Sequence, residues 1–198
     1  MSTARDLLMT AMDVPPSRPV ESGVLSLALA GAELVDLLAA GTATLDDDGA
    51  IVPGPPADTA DPLLKQAAAS LRTDEPYEPV ADWLWRRGRD LAPAYAQAFT
   101  DEGRIARKRR LLPSRTGAPA LVDSPERQAA AARWASGEPV LATLAAAVGI
   151  RDKAAGDTPD PATRTVLIAV DDATVELVAA RERRDIEQAA FDNLWRGF

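Results

Sequence analysis

The sequence predicts a mainly α, compact multi-helix domain around a buried central helix, with two short β-hairpins, one of them projecting. Three observations carry that expectation. First, the run from Ser22 to Ala40 is apolar on nearly every side, with only Ser26, Glu33 and Asp36 clearly polar. A helix apolar all round belongs inside a protein or a membrane. A segment this short with two carboxylates falls below the about 20 mostly apolar residues of a span, so the helix is expected in a protein core. Second, the period changes after Gly41: Thr42 to Leu45, the turn Asp46-Asp47-Asp48-Gly49, and Ala50 to Val52 read as a hairpin with an Asp-Gly turn. Third, the order helix, glycine, hairpin returns between Leu91 and Asp123.

The remaining elements follow from local signals. Ala4 to Met12 reads as a short helix, and the VPPSRP loop leads to Ser22, which can cap the central helix. Asp61-Pro62 opens a helix to Arg72. Thr73 to Pro79, with two prolines, reads as a loop, and Val80 to Arg89 as a helix with Trp83 and Trp85 near three arginines. Leu91 to Glu102 is a helix ended by Gly103, and Arg104 to Asp123 a strand, a turn at Ser114 to Gly117 and a return strand. Ser124-Pro125-Glu126 and Glu138-Pro139 start two more helices, and Asp160-Pro161 opens a long helical tail. That tail is expected to bend near Asp171-Asp172 and to carry a solvated turn at Arg181 to Arg184. Residues 1–198 are read as a single domain.

Composition narrows the chemistry. The chain has no cysteine and no histidine. Disulfides, thiolate metal sites, histidine metal sites and a serine–histidine–carboxylate triad are therefore excluded within it. Phosphate-loop and dinucleotide motifs are absent. Asp46 to Asp48 do not have the spacing of a calcium loop, because Ala50 stands where a ligand is needed. Catalysis by two carboxylates alone stays open, although 30 acidic residues supply many chance pairs. No enzymatic activity and no cofactor are expected. The opening MSTARDLLMTAMD lacks a long apolar core, so a cytoplasmic location is expected. Heavy use of alanine and arginine with little lysine fits a GC-rich bacterial genome.

The net charge of −8 is unevenly spread. Ala81 to Arg115 holds nine basic and four acidic residues, a local charge of +5, which leaves −13 elsewhere. Within it Arg107, Lys108, Arg109 and Arg110 place cations on both faces of a strand, which is incompatible with burial. Leu111 and Leu112 follow beside Pro113. Cations behind apolar tip residues suit a surface-seeking arm, each cation contributing on the order of 1 kcal/mol at an anionic bilayer. The competing reading is a solvated face whose arginines pair with acidic residues elsewhere. Trp83 and Trp85, two apart, cannot both face one core. Trp85 is read as the more exposed one, a cation–π partner, an interface anchor or half-buried packing. Trp134 and Trp195 are read as packing residues.

The runs LALAGAELVDLLAAG, DPLLKQA and FTDEGRIARKRRLL, with a small hairpin between the first two, resemble the Golgi phosphoprotein 3 family, and in particular its bacterial members. The resemblance covers roughly Ala4 to Ala180. It implies a largely α-helical domain with a projecting hairpin that touches membrane or a neighbouring copy. For eukaryotic members it implies peripheral membrane binding through phosphatidylinositol 4-phosphate and an adaptor role. Carried over by position, the family's headgroup pocket falls at Glu21, Ala30, Arg89 and Ala92, of which Arg89 keeps the family's character. Arg18, Arg86, Arg87 and Trp85 are the nearby candidates for rebuilding it, with Arg86, Arg87 and Arg89 expected to be replaceable by Ala at little cost in stability. The expected partners are an anionic lipid or phosphoinositide headgroup and, through the 104–123 hairpin, a second copy of the chain.

Two other classes compete. Helix, glycine and a basic wing (TDEGRIARKRR) also describe a winged-helix DNA-binding protein. Against it, the chain is acidic and has no helix resembling a recognition helix, so no nucleic acid is expected. The other is a protein–protein adaptor without lipid binding.

Overall fold

The computed structural model describes residues 2–56, 59–105, 120–151 and 160–196, with side chains as far as residue 188. Among these residues are α1 (Thr3–Asp13), α2 (Ser22–Ala39), β1 (Ala43–Leu45), β2 (Ala50–Pro53), α3 (Pro62–Ala69), β3 (Glu78–Pro79), α4 (Val80–Arg87), α5 (Leu91–Asp101), α6 (Pro125–Ala135), α7 (Pro139–Ala147) and α8 (Pro161–Arg196). The mainly α class holds.

Four of the helix starts obey one local rule. Asp61, Ser124, Glu138 and Asp160 each precede a proline, and each side chain accepts from a free N–H of the first turn: Leu63, Arg127, Leu141 and Thr163 at 3.0, 3.1, 2.9 and 2.8 Å. The proline loses no donor there, because that N–H has no partner inside the helix. The start of α2 departs from expectation. Glu21, not Ser22, is its N-cap residue, and it makes no side-chain cap bond, its carboxylate pairing with Arg181 instead. At the other end Gly41 sits at φ 68°, and the Thr42 N–H reaches back to the Leu37 carbonyl at 2.9 Å. That left-handed step turns the chain into β1.

Asp46 Oδ1 accepts from the Asp48 and Ala50 N–H groups at 3.0 and 2.8 Å, so the aspartate run is a turn. A third strand joins this hairpin: β3 pairs antiparallel with β2, Glu78 opposite Ile51 and Pro79 opposite Ala50. The sequence reading placed these two residues in a loop. Two residues ending in proline have no period to detect, and proline suits an edge strand.

α2 is the axis. By length and mean hydropathy (18 residues, 1.6) it would pass as a membrane span, yet 72% of it is buried in the fold. α1, α4, α5 and α8 cover it. The approach of α8 is close: a Cβ on Gly31 would lie 2.3 Å from Val170 Cγ2, and valine at that point has little rotamer freedom to give way. Val166, Leu167, Val170 and Ala173 form the buried face of α8. The helix runs unbroken through Asp171-Asp172 and through Arg181 to Arg184, where a bend and a turn were expected. No glycine or proline follows Pro161 inside it, so nothing in the backbone interrupts the ladder.

At the base of the second predicted hairpin, Ile105 bridges Leu121 antiparallel and both are buried. Arg107, Lys108, Arg109, Arg110, Leu111 and Leu112 lie outside the described residues, as does the Trp195 side chain. Trp134 packs against the core, with Arg151 5.0 Å from its ring centroid.

Charged side chains tie α1 to α2 and to α6. Asp36 accepts from the Thr3 N–H at 2.7 Å and the Thr3 hydroxyl at 2.6 Å, and Arg133 pairs with the buried Asp6 at 2.9 Å. Burial pushes Asp36 up to about 6, the Thr3 bonds opposing it; burial also raises Asp6 and Glu33. A carboxyl whose folded pKa lies above its unfolded value favours the folded state when protonated. Its contribution is complete below pH about 4 and is lost as pH rises through about 6. Urea unfolding should therefore show stability rising as pH falls from 7 to 5.5, and Asp36→Asn should flatten that slope. Glu102 acts oppositely: hydrogen bonds from Arg5 hold it down at about 2, so its contribution is lost only in strong acid.

Candidate functional site: the arginines of α4 and the groove beside α8

Arg86 and Arg87 end α4 and Arg89 follows its C-cap Gly88, but the fold uses the three differently. Arg87 turns inward. Its Nε and Nη2 donate to both oxygens of Glu33 at 2.7 and 2.8 Å, and Nη2 also reaches the Leu63 carbonyl at 3.1 Å. Glu33 is 0% exposed and accepts a third bond from the Tyr95 hydroxyl at 3.0 Å. That answers why an apolar helix carries a glutamate: it anchors α4 and α5 to α2. Its pKa is raised because burial outweighs the attraction of Arg87.

Arg86 repeats the arrangement one layer out. Its Nε and Nη2 each donate to Glu78 at 2.6 Å, and Nη2 reaches the Ser70 carbonyl at 3.0 Å. Its guanidinium lies 5.3 Å from the Trp83 ring centroid. Glu78 is buried, so the strand missed in the sequence is what delivers this carboxylate. Two of the arginines read as lipid ligands thus have their guanidinium faces occupied by carboxylates of the same chain. The expectation that they can be removed at little cost in stability is corrected by this geometry.

Arg89 is the exception. It is exposed and has no ion pair among the described residues. Gly88 permits its placement: a Cβ there would lie 2.5 Å from the Leu84 carbonyl and 3.3 Å from Leu27, so the chain leaves α4 hard against α2. Trp85, four residues earlier, is 39% exposed, while Trp83 is fully buried. The two tryptophans divide as their spacing requires, and Trp85 and Arg89 are both open to solvent.

Arg18 lies elsewhere. Its Nη2 donates to the Ala147 carbonyl at 3.0 Å, and its stem fills the space beside Gly149. It borders a groove of about 400 Å³ between the loop before α2, the end of α7, and α8. Arg86, Arg87, Arg89 and Trp85 do not line that groove. The structure does not gather the five candidates into one site.

The profile of the Golgi phosphoprotein 3 (GPP34) family matches residues 4–191. The chain belongs to that family. No curated protein compared with it matches significantly. Within this GPP34 member, the positions assigned to the headgroup pocket take other roles. Glu21 pairs with Arg181. Ala30 is fully buried, its carbonyl accepting from Trp83 Nε1 at 3.3 Å. Ala92 is buried too, its N–H donating to the Ser26 hydroxyl at 2.9 Å. Arg89 alone among the four presents a cation to solvent.

The sequence reading missed the acceptors. Glu33 and Glu78 decide what Arg87 and Arg86 do. The signal for Glu33 was present, since a carboxylate in an all-apolar helix requires a partner. The signal for Glu78 was not, since its burial depends on pairing with β2.

Proposed function

We propose that this GPP34 protein is a cytoplasmic, peripheral membrane protein that docks on phosphoinositide or other anionic lipid headgroups, acting by binding and not by catalysis. Family membership over residues 4–191 carries the reading. The exposure of Trp85 and of Arg89, which has no ion pair among the described residues, supports it: an indole and a guanidinium open to solvent suit a lipid–water boundary. The docking residues are then Arg89, Trp85 and Arg107, Lys108, Arg109 and Arg110 of the arm, while Arg86 and Arg87 hold the platform.

Magnitudes set the test. One cation contributes on the order of 1 kcal/mol at an anionic surface, so Arg89→Ala should weaken vesicle binding about fivefold. Neutralising Arg107, Lys108, Arg109 and Arg110 together should abolish it. The measurement is co-sedimentation with vesicles of neutral lipid, with and without phosphatidylserine or phosphatidylinositol 4-phosphate, at two salt concentrations. Salt-sensitive binding to the charged vesicles alone is expected. Absence of binding by the wild-type chain overturns the proposal. DNA retardation, or an elution volume that changes only on removal of the arm, would favour the competing classes.

A further inference from the structure

α5 joins two parts of the docking surface. Arg89 stands just before its N-cap Asp90, and Arg104 follows its C-cap Glu102 and Gly103. The helix between is 11 residues long, about 16 Å at 1.5 Å per residue. Leu91, Ala92, Tyr95 and Phe99 are buried, and Tyr95 is bonded to Glu33, so α5 is fixed to α2. At its far end Gly103 takes φ 71°, and the Arg104 N–H reaches back to the Phe99 carbonyl at 2.7 Å. The Arg104 carbonyl accepts from the Val122 N–H at 2.8 Å, beside the Ile105–Leu121 bridge. The chain leaves for the arm and returns from it at this point.

One carboxylate holds that root to the body. Glu102 accepts from Arg5 Nη1 and Nη2 at 2.7 Å each and from Arg104 Nε at 2.5 Å. Arg5, on α1, also donates to Asp61, the N-cap of α3, at 2.8 Å. Both guanidinium groups lie over the Phe99 ring, 5.6 and 6.0 Å from its centroid. Arg104 also approaches Glu126 of α6 at 3.4 Å. Without Glu102 the two cations would share one ring with no anion between them, and like charges repel.

We propose that Glu102 is a positioning residue for docking: by binding Arg5 and Arg104 together it fixes the root of the arm, so that the arm's cations and Arg89 meet one surface at once. This inference rests on the lipid-docking reading. Two contacts held by one rigid body bind as a bivalent unit. A loose root must be ordered at the surface on each encounter, which costs affinity.

Two measurements on the full chain test this. Without lipid, Glu102→Gln should speed amide hydrogen exchange at Arg104, Ile105 and Val122 about tenfold, leaving Tyr95 and α2 unchanged. With vesicles containing phosphatidylserine, Glu102→Gln should weaken binding about fivefold. The sign is diagnostic, because removing a negative charge by itself favours an anionic surface. Asp101→Asn makes the same charge change at the neighbouring exposed carboxylate, which accepts only from Gln97, and should bind as tightly as wild type or tighter. Both variants should keep the wild-type circular dichroism. Unchanged exchange at the root overturns the proposal, and so does a Glu102→Gln protein that binds vesicles as well as Asp101→Asn; the lipid reading survives either result. A wild-type chain that ignores charged vesicles overturns both.

Discussion

Arg87→Ala is expected to cost about 3–5 kcal/mol of folding stability, the range for removing one partner of a buried ion pair. A domain's whole stability is about 5–15 kcal/mol, so the variant should sit near the edge of folding. The loss does not come from the arginine's own contacts. It comes from Glu33, which would remain fully buried with only the Tyr95 hydroxyl as donor. Its carboxyl would then protonate, and the variant should regain stability as pH is lowered. Arg87→Met combined with Glu33→Leu removes both charges and should recover most of the loss, since apolar replacement of a buried pair is often neutral. Arg89→Ala is the control and should stay within about 0.5 kcal/mol. Chemical denaturation of the four proteins decides the matter. An Arg87→Ala protein as stable as wild type would remove the anchoring role, and any vesicle-binding loss in a multiple arginine variant could then be assigned to docking.

Trp83→Ala is expected to cost about 3–5 kcal/mol as well, by another mechanism. The indole is fully buried and bonded to the Ala30 carbonyl. Truncation leaves a cavity between α4 and α2 that helices on either side cannot collapse to fill. The melting temperature should fall by about 10 °C, given about 2–4 °C per kcal/mol at this chain length. The same truncation removes the ring beneath Arg86. Trp85→Ala, two residues away and half out in solvent, should leave melting nearly unchanged and act only on vesicle binding. Equal melting shifts at the two positions would show that the buried and exposed assignments are wrong.

The helices were legible because their causes are local. Polar-plus-proline starts, Gly41 and the apolar run of α2 need no knowledge of the rest of the chain. The two-residue strand at Glu78 was illegible because a neighbour makes it a strand. The tail was misread as broken because charged residues were taken for a turn, although arginine and glutamate are good helix formers. The site was read from charge alone, and charge does not say which partner it meets. Arg87 looked like Arg89 in sequence; a glutamate 54 positions away separates their roles.

The cover that α8 lays over α2 has a practical consequence. A fragment ending before Pro161 would bare the side of α2 that Val166, Leu167, Val170 and Ala173 cover, an apolar surface that takes up lipid without recognising a headgroup. Such a fragment would pellet with vesicles of any headgroup, and its sedimentation would report the missing lid instead of recognition. Deletion mapping from the C-terminal side is therefore the wrong way to locate the docking surface of this protein, and point substitutions on the intact chain are the right one.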